Sequence, residues 1–333
     1  MFNKYWKIVA VCSVLLIVLT AYSLWYIKQK AGLNLRGQYI FAQTKENISA
    51  LQKIKLTTPD TGEINIYLKN DGVWHFAEAA DYFVNPEQLS AFYYMVNNAV
   101  ITAIDKNSDF AKTALLEPSA ASRQEEGTLV ETYDFNGNLL DKIIIGKPLA
   151  DAEYRFARNL EYPYTYTISS VQGFSGRADA WIPFPLLQIP LDAVESIKLA
   201  DDTLSAQAIQ TYFSRSTQLR QLVSNITYLA YNGIAYKKDF EEDFSDVTPH
   251  KIIVETSLGL IYVLNIYKPE PDEYWLTIKL EHTKIPQKDV IKFVQENQKY
   301  FENWIFNLDA AQGKMLYNSS AAPIIESFKQ QIF

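Results

Sequence analysis

Residues that could hold a metal ion are few and widely spaced in this sequence. The three histidines are His75, His250 and His282, and the single cysteine is Cys12. Structural zinc sites take cysteine and histidine ligands at short, regular spacings, and a disulfide needs two cysteines. The sequence therefore predicts neither a local zinc motif nor an internal disulfide, and we expect no cofactor.

The densest cluster of carboxylates does not fit a calcium loop. It contains Asp239, Glu241, Glu242, Asp243 and Asp246. Calcium loops of the EF-hand type need glycine at the sixth position and glutamate at the twelfth. This segment has Phe244 and His250 at those positions. The pattern favours a solvated loop.

Local motifs of catalysis are also missing. Gly146 and Lys147 lack the upstream glycine and the following hydroxyl residue of a P-loop. Residues 173–176, Gly-Phe-Ser-Gly, are one residue too short for a nucleophile elbow. We therefore expect a protein that is not an enzyme.

An envelope hydrolase acting on glycan or peptide is the alternative. Such enzymes use paired carboxylates as acid and base. The candidates in this sequence are Asp81, Glu153 and Glu161. Two carboxylates in one aromatic-lined groove would favour this alternative.

Aromatic residues are abundant, with 22 Tyr, 18 Phe and 6 Trp. Tyrosine buries a large ring and keeps one polar atom, so it suits both strand cores and binding surfaces. In an extended conformation, Tyr162, Tyr164 and Tyr166 would lie on one side of the chain. Two interpretations stay open for this trio, namely cross-strand packing and a recognition surface.

The charge balance excludes nucleic acid as an expected partner. The chain has 31 Lys+Arg against 38 Asp+Glu, which gives a net charge of −7. An acidic chain without a basic tract repels the phosphate backbone.

One apolar segment has the length of a membrane span. Residues 8–27 are 20 uncharged residues, from Ile8 to Ile27, and a helix of that length spans about 30 Å, the thickness of a bilayer core. Lysines and aromatic residues stand at both borders, as at membrane interfaces. We expect a retained signal anchor over residues 1–30. Cleavage after Ser23, which would give a secreted binding domain starting at Leu24, is the alternative.

The remainder of the chain indicates which side of the membrane it occupies. Residues 31–333 contain 27 basic and 38 acidic side chains (31 − 4 and 38 − 0), a net of −11, and no cysteine. A domain without thiols suits an oxidising compartment. We expect a single-pass protein of the bacterial cytoplasmic membrane with an extracytoplasmic C-terminal part.

The patterning predicts an α+β fold in which two β-rich modules of antiparallel strands, each covered by a helix, follow the transmembrane helix. We expect a tether at 31–45, a first domain at 46–190, a second at 191–312 that duplicates the first, and a loose tail at 313–333. The clearest local signals are an Asn136-Gly137 hairpin and a helix that begins after Asn85 with Pro86 at its first position.

Several of these features together resemble a bacterial family. They are the N-terminal anchor, the Asp-Gly-x-Trp pattern at residues 71–74, the Asn-Gly hairpin running into residues 145–147 (Ile-Gly-Lys), residues 154–158 (Tyr-Arg-Phe-Ala-Arg), and the proline-punctuated stretch from Trp181 to Pro190. The family is a domain-of-unknown-function family of membrane-anchored, β-rich proteins associated with gliding-motility-type ABC transport systems. The resemblance covers residues 45–200 best, and it implies a membrane complex, such as ABC transporter subunits, as partner. It carries no catalytic residues.

Overall fold

The chain folds into two compact units. The structure is a computed structural model and describes residues 2–58, 62–105, 127–150, 153–169, 171–200, 202–240, 244, 246–284 and 286–324. Unit 1 comprises Met1–Phe76 and Val84–Trp181, and unit 2 comprises Ala77–Phe83 and Ile182–Phe333. Both are built from antiparallel strands and helices, which confirms the α+β class.

Helix α1 (Phe2–Leu33) opens unit 1 as one uninterrupted helix of 32 residues. Its side chains at residues 13–27 are all exposed, and the large apolar ones from Val14 to Ile27 have 47% to 70% of their surface accessible. Among the residues whose side chains the structure describes, which leave out residues 2–12 of α1, no helix has the length and apolar character needed to cross a membrane.

The sheet of unit 1 has the order β3-β2-β1-β6-β7-β8-β9-β5. Its strands are β1 (Leu51–Thr58), β2 (Gly62–Leu68), β3 (Trp74–Phe76), β5 (Ile101–Asp105), β6 (Thr128–Asp134), β7 (Leu139–Pro148), β8 (Arg155–Asn159) and β9 (Thr165–Ile168). Strand β4 (Tyr82–Phe83) lies in the segment assigned to unit 2. Helix α2 (Ala42–Glu46) precedes β1. Most of the strands expected from alternation are therefore present.

Helix α3 (Pro86–Asn98) buries one face in unit 1, as its apolar spacing predicts. Phe92, Met95 and Val96 are fully buried. Asn85 caps the helix by accepting a hydrogen bond from the Glu87 backbone N–H at 3.0 Å. Both sequence signals for this helix start are confirmed.

The β6–β7 hairpin is present, but its turn differs from the expected one. A two-residue turn of the expected type needs positive φ at both central residues, whereas here Gly137 has φ +79° and Asn136 is not left-handed. The Gly137 N–H donates to Asp134 O at 3.0 Å, which closes a four-residue turn. The Asp134 carboxylate then accepts from the backbone N–H groups of Asn136 and Asn138 at 2.9 and 2.8 Å. This carboxylate holds the longer loop in place.

Unit 2 contains a second antiparallel sheet, in the order β12-β11-β15-β16-β17-β18-β14. Its strands are β11 (Val194–Lys198), β12 (Thr203–Ser205), β14 (Gly233–Tyr236), β15 (His250–Thr256), β16 (Leu260–Tyr267), β17 (Trp275–His282) and β18 (Trp304–Asn307). Two further strands, β10 (Leu187–Gln188) and β13 (Tyr228–Leu229), pair with each other.

Four helices belong to the described part of unit 2: α4 (Ala206–Tyr212), α5 (Thr217–Thr227), α6 (Lys288–Asn297) and α7 (Ala310–Tyr317). Helix α5 buries four apolar side chains, from Leu219 to Ile226. Helix α6 starts shortly after Pro286, and of its apolar residues only Val290 is buried, whereas Phe293 is 43% exposed.

A segment from the first half of the chain completes the core of unit 2. The Tyr82 ring packs edge-on against Trp304 and Phe306, with centroids 5.2 and 5.7 Å apart. The Trp304 indole N–H donates to Ala80 O at 2.9 Å, and the Tyr236 hydroxyl donates to the Asp81 carboxylate at 2.6 Å. The expected division at residue 190 therefore differs from the observed one. Residues 77–83 belong to unit 2 because their aromatic side chains pack against residues much later in the chain, such as Trp304.

The expected tether and tail also differ from the structure. In the 31–45 segment, Ile40, Phe41 and Thr44 are buried, because this segment packs on unit 1 after α1 ends. In the tail, α7 continues to Tyr317, and Leu316, Ala321 and Ile324 are buried. Residues 325–333 lie outside the described part of the chain.

Candidate functional site

The C-terminal end of α1 rests on the tyrosine trio of unit 1. A Cβ atom added at Gly32 would lie 2.8 Å from Tyr164 Cδ2 and 3.0 Å from Tyr162 Cδ1. Real Cβ atoms do not approach ring carbons so closely, so glycine permits this contact. The Tyr166 hydroxyl lies 3.4 Å from the Gly32 carbonyl, to which it donates. We call Gly32 with Tyr162, Tyr164 and Tyr166 the helix seat.

This placement favours the packing interpretation of the trio. Tyr164 and Tyr166 have 7% and 0% of their surface exposed, and Tyr162 is half-buried. Cross-strand pairing of Tyr166 with Ala157 and Ile104 accounts for part of the burial. The three side chains converge on Gly32, a residue of the chain's own helix. Tyr164 and Tyr166 are therefore packed within unit 1, and a recognition surface at the trio stays a prediction.

A cavity of about 470 Å³ lies next to the helix seat. Its walls are the segment that follows α1, from Leu35 to Gln43, the start of β7, and the β8–β9 turn with Glu161 and Tyr162. Two of its lining side chains are carboxylates, Asp141 and Glu161. Acidic groups and aromatic rings meet in this cavity, and it contains Glu161 from the expected acid–base set.

Asp141 is the buried titratable group of this cavity, and only 8% of it is exposed. Its Oδ2 atom accepts two hydrogen bonds from Thr44, one from the backbone N–H at 2.7 Å and one from the hydroxyl at 2.6 Å. The Thr132 hydroxyl lies 2.6 Å from the Thr44 hydroxyl and accepts from the Asp141 N–H at 3.1 Å. Because α2 has no side-chain cap of its own, Asp141 supplies that cap from 97 residues away.

The electrostatics of Asp141 reflect both burial and this capping role. Burial raises the pKa of the carboxyl above its ordinary value, hydrogen bonds from Thr44 and Gln43 oppose the rise, and the negative charge of Glu161 adds to it. The neighbouring Lys142 is paired with Glu131 at 2.8 Å. Asp141 is therefore first a structural group, and Glu161 is the more accessible carboxylate of the cavity.

The structure separates the residues of the hydrolase alternative. Asp81 belongs to unit 2, where its carboxylate accepts a hydrogen bond from the Tyr236 hydroxyl. Glu153 accepts a hydrogen bond from Gln172 at 3.2 Å and precedes β8, whereas Glu161 follows β8 at its other end. Glu153 and Glu161 therefore do not form a pair. Sequence reasoning missed Asp141, and only its place in an apolar strand could have indicated that it is buried.

Two histidines occupy structural positions. The His75 Nε2 atom lies 3.2 Å from an Asp71 carboxylate oxygen, and the residue is 3% exposed. The His250 Nε2 atom lies 3.1 Å from the Ser319 hydroxyl. The Ser319 hydroxyl also donates to Leu316 O at 2.7 Å, so it links the end of α7 to the start of β15.

Within the described residues, no group of three or more His, Cys, Asp or Glu side chains could hold a metal ion. Part of the acidic cluster, residues 241–243, lies outside the described part of the chain. No family model, no curated protein and no solved structure matches the chain.

Proposed function

We propose that this chain is a single-pass membrane protein whose two units act as a non-enzymatic accessory module on the outer face of a bacterial cytoplasmic membrane. The observation that carries the proposal is the exposure of α1. Its large apolar side chains from Val14 to Ile27 are 47% to 70% exposed. An apolar surface of this extent is costly in water and favourable in lipid.

The sequence around α1 supports the same assignment. Residues 8–27 carry no charge, and the lysines at 4, 7, 28 and 30 flank them. In the described part of the helix, Tyr22 lies 5.8 Å from Trp25 and 6.5 Å from Tyr26, ring centroid to ring centroid. Aromatic residues at one end of an apolar helix are typical of the headgroup level.

The helix seat gives the proposed anchor a mechanical role. Because Gly32 packs directly on Tyr164, the end of α1 is held by a buried ring of unit 1. An anchor joined in this way limits the orientations that unit 1 can take at the membrane. A tethered domain has a high effective concentration towards other membrane proteins, so modest contacts suffice for association. The partner class that we propose is a membrane complex, with ABC transporter subunits as the case that the family resemblance implies.

Crosslinking in native membranes tests the proposal. The intact chain is purified by affinity tag from detergent-solubilised membranes after mild crosslinking, and co-purifying proteins are identified by mass spectrometry. We expect stoichiometric recovery of transporter membrane subunits. A matched variant in which residues 8–27 are replaced by a cleavable signal should lose them. Recovery of the chain alone would contradict the accessory role.

Two further measurements address membrane attachment and its alternative. Carbonate extraction should leave the intact chain in the membrane fraction, and protease added from outside should digest the units. N-terminal sequencing of the mature protein should find residue 1 or 2. A mature N-terminus at Leu24 would instead establish the secreted binding domain.

The cavity beside the helix seat keeps a hydrolase as a second candidate. Asp141 and Glu161 both line it, together with Tyr39 and Tyr162. In this candidate, Glu161 is the accessible acid or base. Turnover of glycan or peptide by the intact chain, lost in Glu161→Gln with the fold retained, would support it. Equal rates for the two chains would exclude Glu161 as a catalytic residue.

A further inference from the structure

One end of the unit 1 sheet gathers the base of α1 and the β6–β7 hairpin. Strands β6, β7, β8 and β9 form an antiparallel meander, so the β6–β7 and β8–β9 turns lie at the same end of the sheet. The β8–β9 turn carries Tyr162 and Tyr164, which contact Gly32 of α1. The end of the proposed membrane helix and the hairpin tip are therefore on one side of unit 1.

Strand β7 also begins beyond the last strand residue of β8. Asn159, the last residue of β8, pairs with Ile143, whereas Leu139 begins β7. Four strand residues separate these positions, which corresponds to about 13 Å at 3.3 Å per residue, and the β8–β9 turn lines a cavity with β7 over this length. The tip at residues 135–138 lies past Leu139, at the end where α1 is held.

The side chains at this end are unusually apolar for a solvent-exposed turn. Phe135 is 69% exposed, Leu139 is 48% exposed, and Tyr39 is 41% exposed. Tyr39 and Leu139 line the same cavity, and Phe135 and Leu139 flank the hairpin turn, one directly after β6 and the other at the start of β7. Loop tips in water are usually polar, so large apolar side chains exposed at a turn point to a contact surface. We call Tyr39, Phe135 and Leu139 the apolar tip.

The tip is held in a shape that keeps Phe135 pointing outward into solvent. Asp134 accepts three hydrogen bonds from the loop, from the Asn136 N–H, the Asn138 N–H and the Asn138 side-chain amide, at 2.9, 2.8 and 2.9 Å. A loop fixed in this way does not lose conformational freedom when it meets a surface.

The spacing along α1 places this end close to the lipid. Five residues separate Ile27, the end of the uncharged segment, from Gly32, and they advance the helix by about 7.5 Å. The headgroup region on each side of a bilayer is about 5 to 8 Å thick. If α1 spans the bilayer, the helix seat lies at the headgroup boundary, and the β6–β7 hairpin tip is at the same end of the sheet.

We infer that the apolar tip is a second membrane contact, which inserts Phe135 and Leu139 into the interface of the leaflet that α1 leaves. This inference rests on the proposed membrane attachment of α1. Apolar side chains that enter the interface are stabilised by burial from water, as in amphipathic interfacial helices. Two points of attachment fix the tilt of unit 1 relative to the membrane plane, which the packed end of a single helix only limits.

Site-directed fluorescence on the intact chain in phosphatidylcholine vesicles tests the inference. In a Cys12→Ser background, single cysteines are introduced at Asn136, beside the tip, and at Ala150, which is exposed past the opposite end of β7. A third reporter, Leu16→Cys, lies in the proposed anchor. Each is labelled with an environment-sensitive dye and exposed to lipids that carry a quencher at the headgroup or in the acyl chain.

We expect the dye at residue 136 to emit at shorter wavelength than the dye at residue 150. A quencher at the headgroup level should quench the dye at residue 136 at least about two-fold more than the dye at residue 150. When Phe135→Ser and Leu139→Ser are added, the emission and quenching of the dye at residue 136 should become equal to those of the dye at residue 150. The circular dichroism of the chain should stay unchanged. Quenching at residue 16 should persist in all variants.

Three results would overturn the inference. If residue 16 is quenched but residues 136 and 150 are equally aqueous, the anchor stands and the second contact is wrong. If residue 136 shows a short-wavelength emission that lipid quenchers leave unchanged, the tip contacts protein and not lipid. If residue 16 is not quenched by any lipid, the proposed membrane attachment fails together with the inference.

Discussion

Gly32, in the last turn of α1, lies so close to the buried ring of Tyr164 that a Cβ atom would stand 2.8 Å from Cδ2 and 2.9 Å from Cε2. The two residues are 132 positions apart (164 − 32). Only hydrogen at residue 32 permits the contact, so the end of the proposed anchor and the first unit form one packed junction.

Gly32→Ala should destabilise this junction. In a helix without close neighbours, alanine is more favourable than glycine by about 1 kcal/mol. Here the added methyl group overpacks a buried ring, which costs about 1–3 kcal/mol. We therefore expect a net loss of stability, measured as a lower thermal midpoint of the detergent-solubilised chain by circular dichroism.

A double-variant cycle separates the contact from other effects of this substitution. Tyr164→Val removes the two nearest of the three ring atoms that the new methyl group meets, and only Tyr162 Cδ1 at 3.0 Å remains, so Gly32→Ala should cost less in that background. An equal cost in both backgrounds would contradict the close approach.

Asp141→Ala and Asp141→Asn should differ sharply. Alanine leaves the Thr44 N–H and hydroxyl without their acceptor, and a buried unsatisfied group costs about 1–3 kcal/mol. Asparagine retains an acceptor oxygen and removes a desolvated charge, so we expect its stability at pH 7 to stay near that of the unchanged chain. Chemical unfolding of the three proteins measures the difference, and a similar loss in both variants would show that the charge itself is required.

The same carboxyl should make stability depend on pH. Because burial raises the pKa of Asp141 above its ordinary value of 3.8, the folded chain binds more protons than the unfolded chain in this range. Its contribution to stability therefore falls as pH rises from about 3.8 through the folded-state pKa. On acidification from pH 7 to pH 4, the unchanged chain should gain stability relative to Asp141→Asn. Glu161→Gln, which removes a neighbouring negative charge, should weaken this trend.

Tyr82→Ala should destabilise unit 2 although the residue precedes most of that unit by a hundred positions. Tyr82 is 3% exposed and packs on Trp304 and Phe306. Truncating a buried aromatic ring costs about 3–5 kcal/mol. Tyr94→Ala, which truncates a ring that is 51% exposed, is the control and should cost little. The loss should appear in Trp304 fluorescence, and equal effects of the two variants would contradict the assignment of residues 77–83.

Ending the chain at Asn318 should lower the stability of unit 2. The deletion removes the buried side chains of Ala321 and Ile324 and the His250–Ser319 hydrogen bond. Burial of one isoleucine contributes about 1.5–3 kcal/mol. A chain that ends at Ile324 keeps these groups and is the matched control. Equal thermal midpoints for the two chains would restore the expectation of a loose tail.

Local signals in the sequence predicted the local structure well. Asn85 and Pro86 predicted the start of α3, because capping depends on neighbouring residues. The β6–β7 hairpin was predicted, but its turn was not, because the Asp134 side chain selects a longer loop than Asn136-Gly137 alone favours.

Contacts between distant segments could not be predicted. Asp141 caps α2 across 97 residues, and nothing in the pattern around residue 141 identifies Thr44 as its partner. The tyrosine trio was recognised as one face, but the residue that covers it, Gly32, belongs to a segment that the pattern assigned to an anchor and a tether. Contacts of this kind form only when distant segments pack together, and the periodic pattern of a single sequence does not reveal which segments these are.

The assignment of residues 77–83 to unit 2 has a consequence for synthesis. Trp304 emerges from the ribosome 222 residues after Tyr82 (304 − 82), which takes about 10 to 45 seconds at 5 to 20 residues per second. During that interval Tyr82 and Phe83 have not yet met the strand that buries them. The segment is an aromatic site to which a chaperone can bind on the nascent chain, and the second unit cannot be produced intact from a gene fragment that starts at Ile182.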